Sequence, residues 1–106
     1  MKSIITEFTE ICAICGKPSE CEHHLVFGQG MRKLADEDKL ILPMCNDCHN
    51  MNPYLVSRIH DNPMAEALSK MVGQLAFEKE YYRSSTSGNV DKARMAFMKR
   101  YGKSYL

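Results

Sequence analysis

The sequence predicts an α+β fold: a small front half of two short strands leading into a helix, stapled by paired cysteines, followed by C-terminal helices. Three observations predict it. Four cysteines form two Cys-x-x-Cys pairs, Cys12/Cys15 and Cys45/Cys48. Two short apolar runs lie between them, one ending in Leu25-Val26-Phe27 and one over Leu40–Met44, each too short for a helix and closed by glycine or proline. Beyond Asn62, apolar residues recur at helical spacing.

The elements follow in order. Residues 1–11 are a short lead-in. Cys12-Ala-Ile-Cys-Gly16 forms a first knuckle, with a glycine after the second cysteine where a tight turn calls for positive φ. Residues 22–27 have strand composition at their apolar end, and Gly28-Gln29-Gly30 breaks it. Residues 31–39 are a polar loop or short helix. Leu40–Met44 is a strand that Pro43 confines to an edge or an end. The second knuckle, Cys45–Cys48, runs into a helix starting near Asp47 or Cys48, which Pro53 must end or kink. Asn62-Pro63 is a helix start, with asparagine as cap and proline in the first turn. Leu68, Met71, Val72, Leu75 and Ala76 then give its apolar stripe. Residues 84–90 read as a flexible linker, and Asp91 caps a last helix that Gly102 stops after Tyr101.

A chain of 106 residues suits one domain with a modest core. Hydrophobic residues make up 44% and charged residues 25%, an ordinary globular balance. No run suits a membrane span, and Met1–Glu7 lacks the apolar stretch of a signal peptide. A cytoplasmic protein is expected. Net charge is +1 overall, but residues 1–53 carry five Lys/Arg against eight Asp/Glu, and residues 54–106 nine against five. An acidic front and a basic end suit either a phosphate backbone or a solvated helix face.

Zinc favours four thiolates in a tetrahedron, and two intervening residues let both sulfurs of one turn reach the same ion. The 29 residues from Gly16 to Met44 are enough for an excursion that returns to it. Cys12, Cys15, Cys45 and Cys48 are therefore the predicted ligands of a structural zinc. Such a closed site ties a core together and leaves no position for chemistry. Cys21 is expected to be a buried free thiol.

The same staple frames three histidines. His23 and His24 lie on the excursion, and His49 directly follows the last cysteine, so closing the knuckles brings them near one another. Cys12-x-x-Cys15, then Glu22-His23-His24-Leu25, then Leu42-Pro43-Met44-Cys45-x-x-Cys48-His49-Asn50 resembles the zinc-bearing, four-cysteine HNH endonucleases of the ββα-metal (His-Me finger) superfamily. The resemblance covers roughly residues 12–52, and the helical remainder is more loosely similar to small phage-encoded HNH proteins. It implies a single HNH-type domain over 1–106, with 12–52 a zinc-framed ββα catalytic core and 53–106 a helical extension.

The resemblance implies a metal-dependent phosphodiesterase that nicks or cuts double-stranded DNA, leaving 5′-phosphate and 3′-hydroxyl ends. His24 takes the place of the general base. His23 and His49 take the places of the ligands to a catalytic divalent cation, which is magnesium, manganese or zinc. Imidazole titrates near neutrality and suits the base. Two departures matter. Leu40 stands where the family has its middle asparagine; Asp38 is the candidate substitute, with Asp36 behind it. Adjacent residues of a regular strand also face opposite ways, so His23 and His24 share a site only if the strand bulges; otherwise Glu22 competes as ligand.

Arg32 and Lys33, after Gly30, are candidate DNA contacts, as are Arg58, Lys99 and Arg100. His60 reads as a capping or surface histidine, and Met64, Met71, Met95 and Met98 as core filler. A second copy of the chain or a phage packaging terminase are the expected protein partners. The competing reading is a non-catalytic zinc module that binds nucleic acid or protein. A thiol redox protein would need a βαβ context that the sequence lacks.

Overall fold

A computed structural model describes residues 2–84 and 90–106. Strand β1, Cys21–His24, pairs antiparallel with β2, Ile41–Met44. The register sets Cys21 against Met44, Glu22 against Pro43, His23 against Leu42 and His24 against Ile41. Pro43 has no N–H to give, but its carbonyl accepts from the Ala13 N–H at 2.8 Å. That bond lays the first knuckle beside β2 and shows that the main-chain N and O of Pro43 face away from β1, so the missing N–H takes nothing from the ladder. Helix α1, Met31–Glu37, crosses between the strands. The turn back into β2 passes through Lys39 at φ 61, closed by the Leu40 N–H on the Ala35 carbonyl at 2.9 Å.

After β2 the chain makes one wide π-helical turn, Asp47–Met51, and a short 3₁₀ turn, Leu55–Ser57. The helix expected from Asp47 is thus a single turn that ends before Pro53. Two long helices follow, α2 over Pro63–Ser84 and α3 over Val90–Tyr101. The start of α2 is built as its sequence predicts. The Asn62 side-chain oxygen accepts from the Ala65 N–H at 3.4 Å, and Pro63 opens the helix. Gly102, at φ 90, stops α3. Residues 85–89, the interior of the expected linker, lie outside the described residues. The fold is mixed α+β: a two-stranded antiparallel sheet plus helices.

The first strand is shorter than 22–27, because Leu25 and Val26 leave the ladder to become core. They are buried with Ala35, Leu40, Phe97 and Tyr101, so the core joins the sheet's end to α1 and α3. A second, smaller cluster of Cys12, Met44 and Cys45 lies under the knuckles.

Helix α2 departs from expectation. Leu68, Val72 and Leu75 of the predicted apolar stripe are exposed, and Ser69, Gly73 and Gln74 are buried instead; Ala76 alone of that stripe packs on the core. Met64, Met95 and Met98 are likewise exposed rather than core filler. The reason is a close approach. A Cβ on Gly73 would stand 2.7 Å from Val26 Cγ2 and 3.0 Å from Leu25 Cβ. A face of small and polar residues lets the helix backbone lie directly on the Leu25–Val26 segment, where a leucine face would hold it away. Gln74 then ties α2 to the C-terminal tail. It donates to Ser104 Oγ at 3.0 Å and accepts from the Tyr105 N–H at 2.7 Å. No helix among the described residues is long and apolar enough to cross a membrane.

Candidate metal centres

The four paired cysteines converge. Their sulfurs all lie within 4.8 Å of one another, with Cys15 Sγ and Cys45 Sγ 3.6 Å apart. A Zn–S bond of about 2.3 Å places tetrahedral sulfurs about 3.8 Å apart, so the set fits a zinc-sized ion. The first knuckle closes through the Gly16 N–H on the Cys12 carbonyl at 2.9 Å, with Gly16 at φ 79. Burial opposes ionisation of Cys12, but the N–H groups of Cys15, Cys45 and Ile14 outweigh it and hold the thiol down at about 6. Cys48 is pushed far up, by burial first and then by the neighbouring thiols. One thiolate forms readily and its neighbours resist a second negative charge, which is the electrostatics a cation resolves. The cluster could hold a structural metal such as zinc.

A second cluster unites His23, His49 and His60, whose ligand nitrogens also lie within 4.8 Å of one another. His49 Nε2 and His60 Nε2 are 3.0 Å apart. The ring centroids of His23 lie 5.1 Å from those of both partners. Phe27 packs edge-on against His23 and His60. His23 is fully buried, and burial, followed by the two neighbouring imidazoles, lowers it to about 3. His49 is lowered for the same reasons, burial first. The His23 and His49 rings are therefore neutral at physiological pH, the form that ligates metal.

His60 was expected at the surface, and two backbone bonds bring it in. After the π-helical turn the chain doubles back, with the Ile59 N–H on the Cys48 carbonyl at 2.9 Å and the His60 N–H on the His49 carbonyl at 3.0 Å. Arg58 clamps this return. Its guanidinium donates to the carbonyls of Asn50, Asn52 and His60 and to the Asp61 carboxylate, at 2.8–3.0 Å. The donors expected to meet DNA are spent inside the loop. No local motif marks His60, because its partner is reached only by the fold-back.

His24 takes the other side of the strand. The ladder is regular, so His23 faces the buried cluster while His24 and Glu22 face an open cleft. His24 Nε2 stands 3.5 Å from Asp36 Oδ1. Arg32, Lys33 and Asp36 line the same cleft, and His49 reaches it from the cluster's edge. The structure thus brings His24, Arg32, Lys33 and His49 together. It does not bring Asp38 to them. Asp38 accepts from Arg100 Nε and from the Tyr101 hydroxyl, each at 2.6 Å, and Arg100 also holds Glu37 at 2.9 Å. Arg100 is therefore committed to α1, while Lys99 stays exposed on α3.

No family model matches the chain. It is 42% identical over 43 residues to an uncharacterized protein, YdfU, of Escherichia coli (strain K12), a match taking in 40% of this chain and 12% of that protein's length. No solved structure matches significantly.

Proposed function

We propose that the chain is a metal-dependent endonuclease that hydrolyses phosphodiester bonds of double-stranded DNA, with the zinc-stapled front half acting as a ββα-metal finger of the HNH kind. One observation carries the reading: a three-histidine cluster, with His23 buried and His49 and His60 half-buried, opens at His49 onto a cleft that also holds a histidine paired with a carboxylate and two cationic side chains.

In this reading His23, His49 and His60 would hold the cation, which supplies stabilisation of the phosphate's developing charge and of the leaving oxygen. Arg32 and Lys33 bind the phosphate backbone at the cleft wall. His24 accepts the proton of the attacking water as the water oxygen bonds to phosphorus and the 3′ oxygen departs. Asp36, 3.5 Å from His24 Nε2, orients the ring. The four-cysteine cluster, closed by its own ligands, keeps the two knuckles together.

The test is relaxation of supercoiled plasmid by the purified chain with magnesium, manganese or zinc. Wild type nicks, and His24→Ala and His49→Ala do not, while each variant keeps its structural zinc. Equal nicking by all three proteins, or none by wild type with any of the metals, overturns the proposal in favour of a non-catalytic zinc module that binds nucleic acid or protein.

A further inference from the structure

Each imidazole of the histidine cluster has one nitrogen engaged away from the centre. Ser69, from α2, has a single hydroxyl proton, and it is donated to the Leu25 carbonyl at 2.8 Å. Ser69 Oγ also lies 2.8 Å from His23 Nε2, so it can only accept there, and the proton of that bond is His23's own. His23 is therefore the Nε2–H tautomer. Its Nδ1 is left as a bare lone pair, buried and without a hydrogen-bond partner. Among the described residues it is the one buried side-chain nitrogen or oxygen left in that state.

The same logic runs through the other two rings. Cys21 Sγ donates to the Met44 carbonyl at 3.4 Å and lies 3.4 Å from His49 Nδ1, so the sulfur is left to accept the Nδ1 proton. His60 Nδ1 stands 3.7 Å from Glu66 Oε2, which draws the proton to that nitrogen. With the ring protons on the two Nδ1 atoms, the Nε2 atoms of His49 and His60 are both bare and face each other across 3.0 Å; with the His60 proton on Nε2, that proton bridges them instead. Two lone pairs that close repel unless a cation or a proton lies between them. Among the described residues no carboxylate joins the three imidazoles as a fourth inward-facing ligand, Glu66 lying on the outer nitrogen of His60.

We propose that Ser69, Cys21 and Glu66 complete a preformed all-nitrogen centre, in which His23 Nδ1, His49 Nε2 and His60 Nε2 take a borderline transition cation of the zinc class in preference to magnesium. Imidazole nitrogens suit zinc, nickel and copper, whereas magnesium demands oxygen ligands and keeps its water. The three outer residues are positioning residues. They fix which nitrogen faces inward and hold each ring in place. Ser69 makes α2 part of the centre, so the helical half of the chain contributes to a site otherwise carried by the front half. This rests on the metal-dependent reading above for its use, but not for its test.

The test is metal binding by the full chain with its four-cysteine site already filled. Wild type takes up one further zinc or cobalt(II) per chain, and millimolar magnesium does not displace it. Cobalt(II) bound there gives the visible bands of nitrogen coordination without a thiolate charge-transfer band. Ring ¹⁵N spectra before metal addition report His23 protonated at Nε2. Ser69→Ala mixes the His23 tautomers and weakens the second zinc about 10- to 100-fold, Ser69→Thr restores both, and Cys21→Ser retains affinity where Cys21→Ala loses it. Uptake of one metal only, displacement by magnesium, or a Ser69→Ala protein with unchanged spectrum and affinity overturns the proposal. Tight second-site zinc without plasmid nicking would sink the nuclease reading alone. Nicking by magnesium with no second-site zinc would sink this proposal alone.

Discussion

Replacing Gly73 by alanine isolates the contact on which the docking of α2 depends. Gly73 is helical, so alanine fits the backbone and by itself favours the helix by about 1 kcal/mol. The added Cβ would stand 2.7 Å from Val26 Cγ2 and 3.0 Å from Leu25 Cβ, where ordinary contact begins near 3.4 Å. Neither neighbour can swing aside. Val26 is fully buried, Leu25 is 2% exposed, and a Cβ moves only with its backbone. Helix α2 must therefore retreat by several tenths of an ångström along the Leu25–Val26 segment. Overpacking of a dense core costs about 1–3 kcal/mol, and two unyielding neighbours put this site in the upper part of that range, about 2–3 kcal/mol, so after the gain in helix propensity of about 1 kcal/mol a net loss of about 1–2 kcal/mol is expected. Urea unfolding of the zinc-loaded protein, followed by circular dichroism, should show a midpoint lower by roughly 0.5–1 M. Because Ser69 lies one helical turn before Gly73, the same retreat lengthens its bond to His23, and the His23 ring N–H resonance should move with the midpoint. An unchanged or raised midpoint would mean that α2 does not lie against this segment and that the small-residue face is incidental.

Three further outcomes are expected. Leu68→Lys and Leu75→Lys should each leave stability within about 0.5 kcal/mol in the same unfolding assay, because both side chains are exposed; a loss of several kcal/mol would restore the leucine stripe as the buried face. Burial, and then the hydrogen bond to Asp38, raise the Tyr101 hydroxyl far above its ordinary value of 10.0. The folded state then keeps a proton that the unfolded state releases, so this stabilisation is complete below pH 10 and declines as pH rises beyond it. Tyr101→Phe should flatten that alkaline decline, and an identical slope in both proteins would remove Tyr101 as its source. Removing the structural metal with a chelator, or replacing Cys45 by serine, should abolish the cooperative unfolding transition, since a zinc site of this kind couples binding to folding; a metal-free protein that melts normally would leave the four cysteines without a structural role.

What could be read directly from the chain was whatever is encoded by spacing. The Cys12/Cys15 and Cys45/Cys48 pairs carry their geometry with them, because two intervening residues set both sulfurs on one turn, and these four sulfurs do converge. Asn62-Pro63 opens α2 and Gly102 ends α3 because capping and φ preferences act within a few residues. The strand expected over Leu40–Met44 is found at Ile41–Met44, legible for the same reason. Alternation along a strand also forewarned that His23 and His24 would part unless the ladder bulged, and it does not.

Tertiary structure decided the rest. His60 joins the histidine cluster because the chain doubles back on the turn holding His49, a fold-back held by Arg58 and by backbone bonds between residues eleven apart. Ser69 reaches His23 across 46 positions only because Gly73 lets α2 sit on the chain. Periodicity named the wrong face of that helix, since it counts apolar side chains, while close approach of two backbones selects for small ones. Asp38 and Arg100 found each other across 62 positions, which took one from the candidate catalytic set and the other from the candidate DNA contacts. Local spacing dictates a knuckle or a cap because its atoms are bonded neighbours. A site assembled from a strand, a turn, a return loop and a distant helix exists only once packing has fixed how they meet.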